Sequence, residues 1–140
     1  DLQAVIADLT RGIDDDLRDE WAVPLGWFDV LAALRSLGGR ARPQAIAARM
    51  RIPASSLSRR LDRLEEEGWV ARHRRVDHDD HRAVDIELTQ RGRTLGREMN
   101  VTYRRSVQAR FATALSDEQI AAVVDVVDRV APSVDPTRQD

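Results

Sequence analysis

The sequence predicts a mainly α-helical protein that contains one small antiparallel β-hairpin. Apolar residues recur at helical spacing near both ends of the chain, and prolines and paired glycines divide the middle into short segments. One late segment alternates apolar and acidic residues, as a half-buried strand does. The chain has 140 residues, the length of one domain. We therefore expect a single domain in which terminal helices flank a shorter middle region.

The first half of the chain is predicted to form four helices. The opening segment "DLQAVIADLTRGIDDDLRDEW" places its apolar residues along one helical stripe. Pro24 opens a second, more apolar helix that ends at a pair of glycines. Pro43 starts a short third helix, and after a turn at 51–52 Pro53 starts a fourth that runs to Gly68. The last two helices therefore form a helix-turn-helix.

Two strands follow the fourth helix, and a charged loop lies between them. The strands are "WVARHRRV" and "AVDIELT", which together form a two-stranded wing. If Val76 pairs with Ala83, cross-strand ion pairs follow. The expected pairs are Arg74 with Asp85, and Arg72 with Glu87.

The rest of the chain is predicted to be helical. Apolar residues recur every four positions from Leu95 to Phe111, and "SDEQ" at 116–119 forms a capping box before a last helix. Residues 132–140 should fray as a tail. The outer helices carry more apolar surface than so small a domain can bury alone. We therefore expect residues 1–22 and 92–131 to form dimerisation helices around a helix-turn-helix and wing at 24–91, although a monomer with packed terminal helices is the alternative.

Charge is distributed unevenly along the chain. Residues 40–82 hold 11 arginines and 7 acids, whereas the rest of the chain holds 11 arginines and 17 acids. The middle of the chain is therefore basic and the rest is acidic, a difference that the overall charge of −2 conceals. This pattern favours a polyanionic partner such as nucleic acid.

The fourth helix carries the candidate binding surface. At about 100° per residue, Leu57, Leu61 and Leu64 share one face and must point to the core. Small hydroxyl side chains and arginines occupy the remaining surface, and such side chains suit entry into a major groove. The alternative is a solvated face with arginine–glutamate pairs. The candidate DNA contacts are Ser55, Ser56, Ser58, Arg59, Arg60 and Arg63.

Three features together resemble the MarR family of winged helix-turn-helix transcriptional regulators. They are "SSLSRRLDRLEEEGWV", "DHDDHRAVDIELTQRG" and the order of the elements. The resemblance implies a two-fold homodimer that binds double-stranded, pseudo-palindromic operator DNA. It also places His81 and Arg82 at the two basic positions of the wing tip, and Arg75 is a further candidate backbone contact. The family often binds small aromatic or phenolic ligands near the junction of the first two helices, where this chain has Trp21, Trp27 and Asp29.

The stretch "HDDHR" at 78–82 has a second interpretation as a metal site. An exposed hairpin tip lacks the convergent ligands of a closed metal site, so we expect a wing tip and no metal or cofactor. The chain has no cysteine and no obvious catalytic nucleophile, phosphate loop, signal peptide or membrane span, so we expect a cytoplasmic protein that is not an enzyme.

The leading hypothesis is thus a dimeric, sequence-specific regulator, a repressor that a small aromatic ligand releases from DNA. A winged-helix module that binds protein rather than specific DNA is the alternative, and a metal-dependent hydrolase is the third class.

Overall fold

A computed structural model describes residues 2–75 and 83–134. Its elements, in chain order, are α1 (Leu2–Trp21), α2 (Leu25–Ser36), β1 (Arg40–Ala41), α3 (Pro43–Met50), α4 (Ala54–Glu66), β2 (Val70–Arg74), β3 (Val84–Leu88), α5 (Gln90–Ala114) and α6 (Asp117–Val134). The mainly helical class with a small antiparallel sheet is confirmed. Helices α3 and α4 form the helix-turn-helix, and β2 and β3 form the wing.

Local sequence signals explain most of the helix boundaries. Pro24 and Pro53 are extended N-cap residues, and Pro43 is the first residue of α3, where the absence of an amide proton has no cost. The turn between α3 and α4 contains Arg51 in the left-handed region, at φ 56°. The predicted capping box forms, because the Ser116 amide donates to the Gln119 side chain and the Gln119 amide donates back to Ser116 Oγ.

The sheet differs from the prediction in its number of strands. It has three antiparallel strands in the order β1–β3–β2. Strand β1 has two residues, and Arg40 lies opposite Glu87. Such a short strand leaves no alternation to detect, so the sequence pattern shows only a two-stranded wing.

The predicted register of the wing is wrong by one residue. Arg74 pairs with Val84 rather than with Asp85, and the Arg75 amide donates to the Ala83 carbonyl. Alternation identifies which residues share a face, whereas the register also depends on the hairpin loop. The expected ion pair between Arg72 and Glu87 is therefore absent: Arg72 lies opposite Ile86 and extends towards α4.

Two clusters of buried residues form the core. The larger cluster lies within the helix-turn-helix and wing, where Leu34, Ile46, Leu64 and Ile86 are fully buried. The smaller cluster joins the start of α2 to α1 and α5. Three partly buried residues pack against both clusters: Trp27, Trp69 and Leu95. These residues connect the helix-turn-helix and wing to the outer helices.

The outer helices α1 and α5 pack along each other through polar as well as apolar groups. Ser106 on α5 donates a 2.5 Å hydrogen bond to Asp16, and Arg110 donates to the Gly12 carbonyl at 2.7 Å. This hydrogen bond from Ser106 is the main reason that the pKa of Asp16 lies below its ordinary value. Helix α6 continues to Val134, beyond the predicted start of the tail, and residues 135–140 lie outside the described chain.

Within the described residues, no helix is long and apolar enough to cross a membrane.

Candidate nucleic-acid interface

Helix α4 presents a polar surface because its leucines are committed to the core. Leu57, Leu61 and Leu64 are at most 2% exposed. The opposite face of α4 therefore points away from the core along the first three turns. This arrangement matches the helical periodicity of the sequence.

The predicted contact residues of α4 differ in their exposure to solvent. Ser55, Ser58 and Arg59 are exposed, whereas Ser56 is half-buried. Arg63 is also exposed, and its guanidinium lies 3.5 Å from the Glu66 carboxylate one turn later. The sequence-based alternative, an arginine–glutamate pair on a solvated face, thus describes Arg63 but not Arg59.

Arg60 lies against the protein rather than on the open surface. It is half-buried, and its Nη1 donates a 3.1 Å hydrogen bond to the Gly26 carbonyl at the start of α2. A Cβ at position 26 would lie 3.3 Å from this guanidinium, so glycine permits the close approach. Arg60 consequently holds α4 against α2.

The wing residues are only partly described. The Arg75 side chain is 34% exposed, and its Nε lies 3.4 Å from Asp85 on the neighbouring strand. His73 Nε2 lies 2.9 Å from the Glu87 carboxylate. His81 and Arg82, and the rest of the HDDHR stretch, lie outside the described residues.

A cleft lies between the wing on one side and the start of α3 and the N-terminal half of α4 on the other. Its volume is about 470 Å³, and its walls include Arg42, Gln44, Ser58, Arg72 and Val84. Arg42 and Gln44 are exposed, and neither was among the contact residues predicted from the sequence. Their position at the N-terminus of α3, beside a proline, was a usable signal because helix N-termini bind phosphate groups.

The three predicted ligand residues have different surroundings. The Trp21 indole donates a 2.8 Å hydrogen bond to the buried Thr102 side chain on α5. The Trp27 ring packs edge-on against Trp69, with 6.1 Å between ring centroids. Both tryptophans therefore contribute to the packing between elements.

Asp29 lies instead in a cleft of about 510 Å³ that Arg49, Met50 and Arg60 also line. Burial raises the pKa of Asp29 above its ordinary value, and the positive charge of Arg60 partly opposes this shift. The cleft thus combines a carboxyl group with an arginine of α4.

Among residues 2–75 and 83–134, no group of three or more histidine, aspartate, glutamate or cysteine side chains is arranged to hold a metal. The HDDHR stretch is outside this range, so the expectation of no metal there stays a prediction.

Comparisons with known proteins point to one family. The family model described as "MarR family" matches residues 23–83, which span the helix-turn-helix and the first strand of the wing, β2. The helix-turn-helix region of this chain is therefore similar to that of the MarR family. It is 25% identical over 134 residues to the transcriptional repressor MdtR of Bacillus subtilis, covering 96% of this chain and 83% of MdtR. It is 42% identical over 67 residues to the transcriptional regulator PecS of Dickeya dadantii, covering 46% of this chain and 39% of PecS.

Solved structures of MarR-family regulators share the fold. A cysteine-to-serine variant of Escherichia coli MarR in complex with operator DNA has a TM-score of 0.77 at 21% identity, covering 92% of this chain and 89% of that chain. The organohalide-sensing regulator RdhR, bound to 2,4-dichlorophenol, has a TM-score of 0.80 at 18% identity, covering 98% of this chain and 79% of that chain. The matches to MarR-family transcriptional regulators support a DNA-binding regulator with a winged helix-turn-helix fold.

Proposed function

We propose that this chain is a cytoplasmic homodimer of the MarR family that binds a pseudo-palindromic operator and represses transcription until a small aromatic ligand releases it. The single observation that carries the proposal is the surface of α4, where Ser55, Ser58 and Arg59 are exposed and three leucines anchor the helix from behind. Hydroxyl groups on such a helix reach phosphates, and arginine reaches guanine edges.

The outer helices support the dimer. Large apolar residues are exposed on both terminal helices: Val5 and Ile6 on α1, and Val123, Val124 and Val126 on α6. Within the described part of the chain, no other helix or strand packs extensively along α6. A second copy of the chain would cover these faces, and a two-fold axis would place two α4 helices in successive major grooves.

The cleft beside Asp29 supports a ligand-dependent release. A ligand there would contact both α2 and Arg60, the arginine that ties the recognition helix to α2. A ligand that binds better to a conformation in which α4 has moved would shift the population away from the DNA-bound state. The 2,4-dichlorophenol in RdhR makes this phenol a suitable first probe.

The deciding experiment is selection of bound duplexes from a random library, followed by titration of the selected duplex. A specific regulator enriches a pseudo-palindrome and binds it with an affinity that falls steeply as salt rises. Light scattering gives the oligomeric state. Titration of the protein–duplex complex with 2,4-dichlorophenol tests whether this phenol releases the protein from DNA. A chain that enriches no sequence, and binds duplex weakly at every salt concentration, would favour the protein-interaction module instead.

A further inference from the structure

Arg72 joins the wing to the recognition helix. It lies on β2, and its Nη2 donates a 2.7 Å hydrogen bond to Asp62 while its Nη1 donates a 2.8 Å hydrogen bond to Glu65. The two carboxylates are three residues apart on α4, so one guanidinium spans them with separate amino groups. The Arg72 side chain is 30% exposed, which is less than either of its partners.

The same contact reduces the negative charge on α4, the helix that would enter the major groove. Asp62 and Glu65 follow the exposed Arg59 on α4, and unpaired carboxylates there would repel the DNA backbone. Burial alone would lower the pKa of Arg72, but its hydrogen bonds with the two acids outweigh that effect and raise the pKa above its ordinary value. Arg72 is therefore charged under all ordinary conditions and offsets one of the two negative charges.

The position of Arg72 also matters for the cleft between α4 and the wing. A phosphodiester strand separates the major groove from the neighbouring minor groove. With α4 in the major groove and the wing at the minor groove, that strand would run along the cleft of about 470 Å³ between them. Arg72 lies in the wall of this cleft, but its two terminal amino groups are held by Asp62 and Glu65 rather than offered to a phosphate. A wing that changes its distance from α4 would no longer fit both grooves at once.

We propose that Arg72 is a positioning residue for DNA binding, which fixes the wing relative to the recognition helix and offsets one of the two negative charges of Asp62 and Glu65 without touching DNA. This inference rests on the proposed operator binding. It assigns Arg72 a role through α4, whereas Arg59 acts on the duplex itself.

The test compares Arg72→Gln in two backgrounds, the natural chain and the double variant Asp62→Asn with Glu65→Gln. In the natural chain we expect affinity for the selected duplex to fall about tenfold, because two charge-assisted hydrogen bonds are lost and two carboxylates are left unpaired. In the double variant we expect Arg72→Gln to change affinity by less than about twofold, since the carboxylates are already gone.

Two further variants separate charge from geometry. Arg72→Lys keeps the charge but cannot span both acids with a planar fork, so its affinity should lie between those of the natural chain and Arg72→Gln. Arg97→Gln removes an exposed arginine from α5 and should leave affinity unchanged. Hydrogen exchange of β2 and β3 amides should be faster in Arg72→Gln than in the natural chain, while exchange of α2 amides stays the same.

An equal loss of affinity in both backgrounds would overturn the proposal, because it would mean that Arg72 contacts DNA directly. Absence of duplex binding by the natural chain would instead overturn the proposed function. In that case hydrogen exchange still tests whether Arg72 fixes the wing relative to α4. Unchanged exchange of the wing amides in Arg72→Gln would overturn that claim.

Discussion

Arg59→Ala tests the recognition surface most directly. Arg59 is exposed on the second turn of α4, and no ion pair joins it to another described residue. Truncation of such a side chain changes the free energy of unfolding by about 0.5 kcal/mol or less. Any larger change in DNA affinity must therefore come from lost contacts with the duplex.

The expected loss depends on whether Arg59 reaches a base or a phosphate. A bidentate contact with a guanine edge discriminates by about 1–3 kcal/mol. A homodimer carries two copies of Arg59, so the total is about 2–6 kcal/mol, or an affinity loss of roughly 30-fold to 10⁴-fold. A phosphate contact instead weakens binding to every sequence and reduces the salt slope by about 0.9 for each phosphate lost.

Fluorescence anisotropy with the selected duplex and a scrambled duplex, at several salt concentrations, distinguishes these outcomes. Loss on the selected duplex alone indicates base recognition, and equal loss on both with a shallower slope indicates phosphate binding. Arg97→Ala, which removes an exposed arginine from α5, is the matched control. Unchanged affinity of Arg59→Ala for both duplexes would refute the assignment of α4 as the recognition surface.

Three further predictions concern packing, ionisation and assembly. Gly92→Ala places a Cβ 1.9 Å from the Trp69 carbonyl oxygen, so urea unfolding should show a loss of at least about 2 kcal/mol, whereas Gly96→Ala meets only an ordinary contact at 3.7 Å and should not destabilise the fold. Because burial raises the pKa of Asp29 in the folded state, ionised Asp29 costs stability above that pKa, and the cost shrinks as the pH falls from that pKa to the lower pKa of the unfolded chain. Asp29→Asn should therefore be more stable than the natural chain near about pH 7, and an advantage that does not shrink towards acidic pH would contradict this origin. Val124→Glu adds charge to an exposed apolar face and should lower the mass measured by light scattering without changing helicity; an unchanged dimer would exclude this face from the interface.

The helices were predictable because their signals are local. The prolines at 24, 43 and 53 and the capping box at 116–119 act within one helical turn. The three leucines of α4 repeat with the helical period, so their burial also follows from the sequence. The exposed part of the candidate surface follows from the same pattern.

The contacts that depend on tertiary structure were not predictable in the same way. Periodicity puts Arg60 on the flank of α4, but only the approach of α2 shows that its guanidinium reaches the Gly26 carbonyl. The partners of Arg72 depend on a hairpin register that differs by one residue from the expected one. The two-residue strand β1 forms through its pairing with β3 and has no sequence period of its own.

Trp27 and Trp69 link the DNA-binding region to the outer helices, and this link can be tested. Their rings meet at an interplanar angle of 64°, and both side chains pack against both core clusters. Trp27→Ala should lower the free energy of unfolding by about 3 kcal/mol, because a large aromatic side chain leaves a cavity between the clusters.

The loss should also uncouple the two clusters, since among the described residues Trp69 and Leu95 alone would then pack against both. In the natural chain, urea unfolding followed by tryptophan fluorescence and by far-ultraviolet circular dichroism should give one shared transition, as a single cooperative unit does. In Trp27→Ala the two probes should separate, because most of the helical residues lie in the outer helices α1, α5 and α6, whereas Trp69, one of the two remaining tryptophans, also packs against the larger cluster. Coincident transitions at a reduced midpoint would mean that the two regions communicate without this tryptophan pair, and a movement of the outer helices would then have to reach α4 by another route.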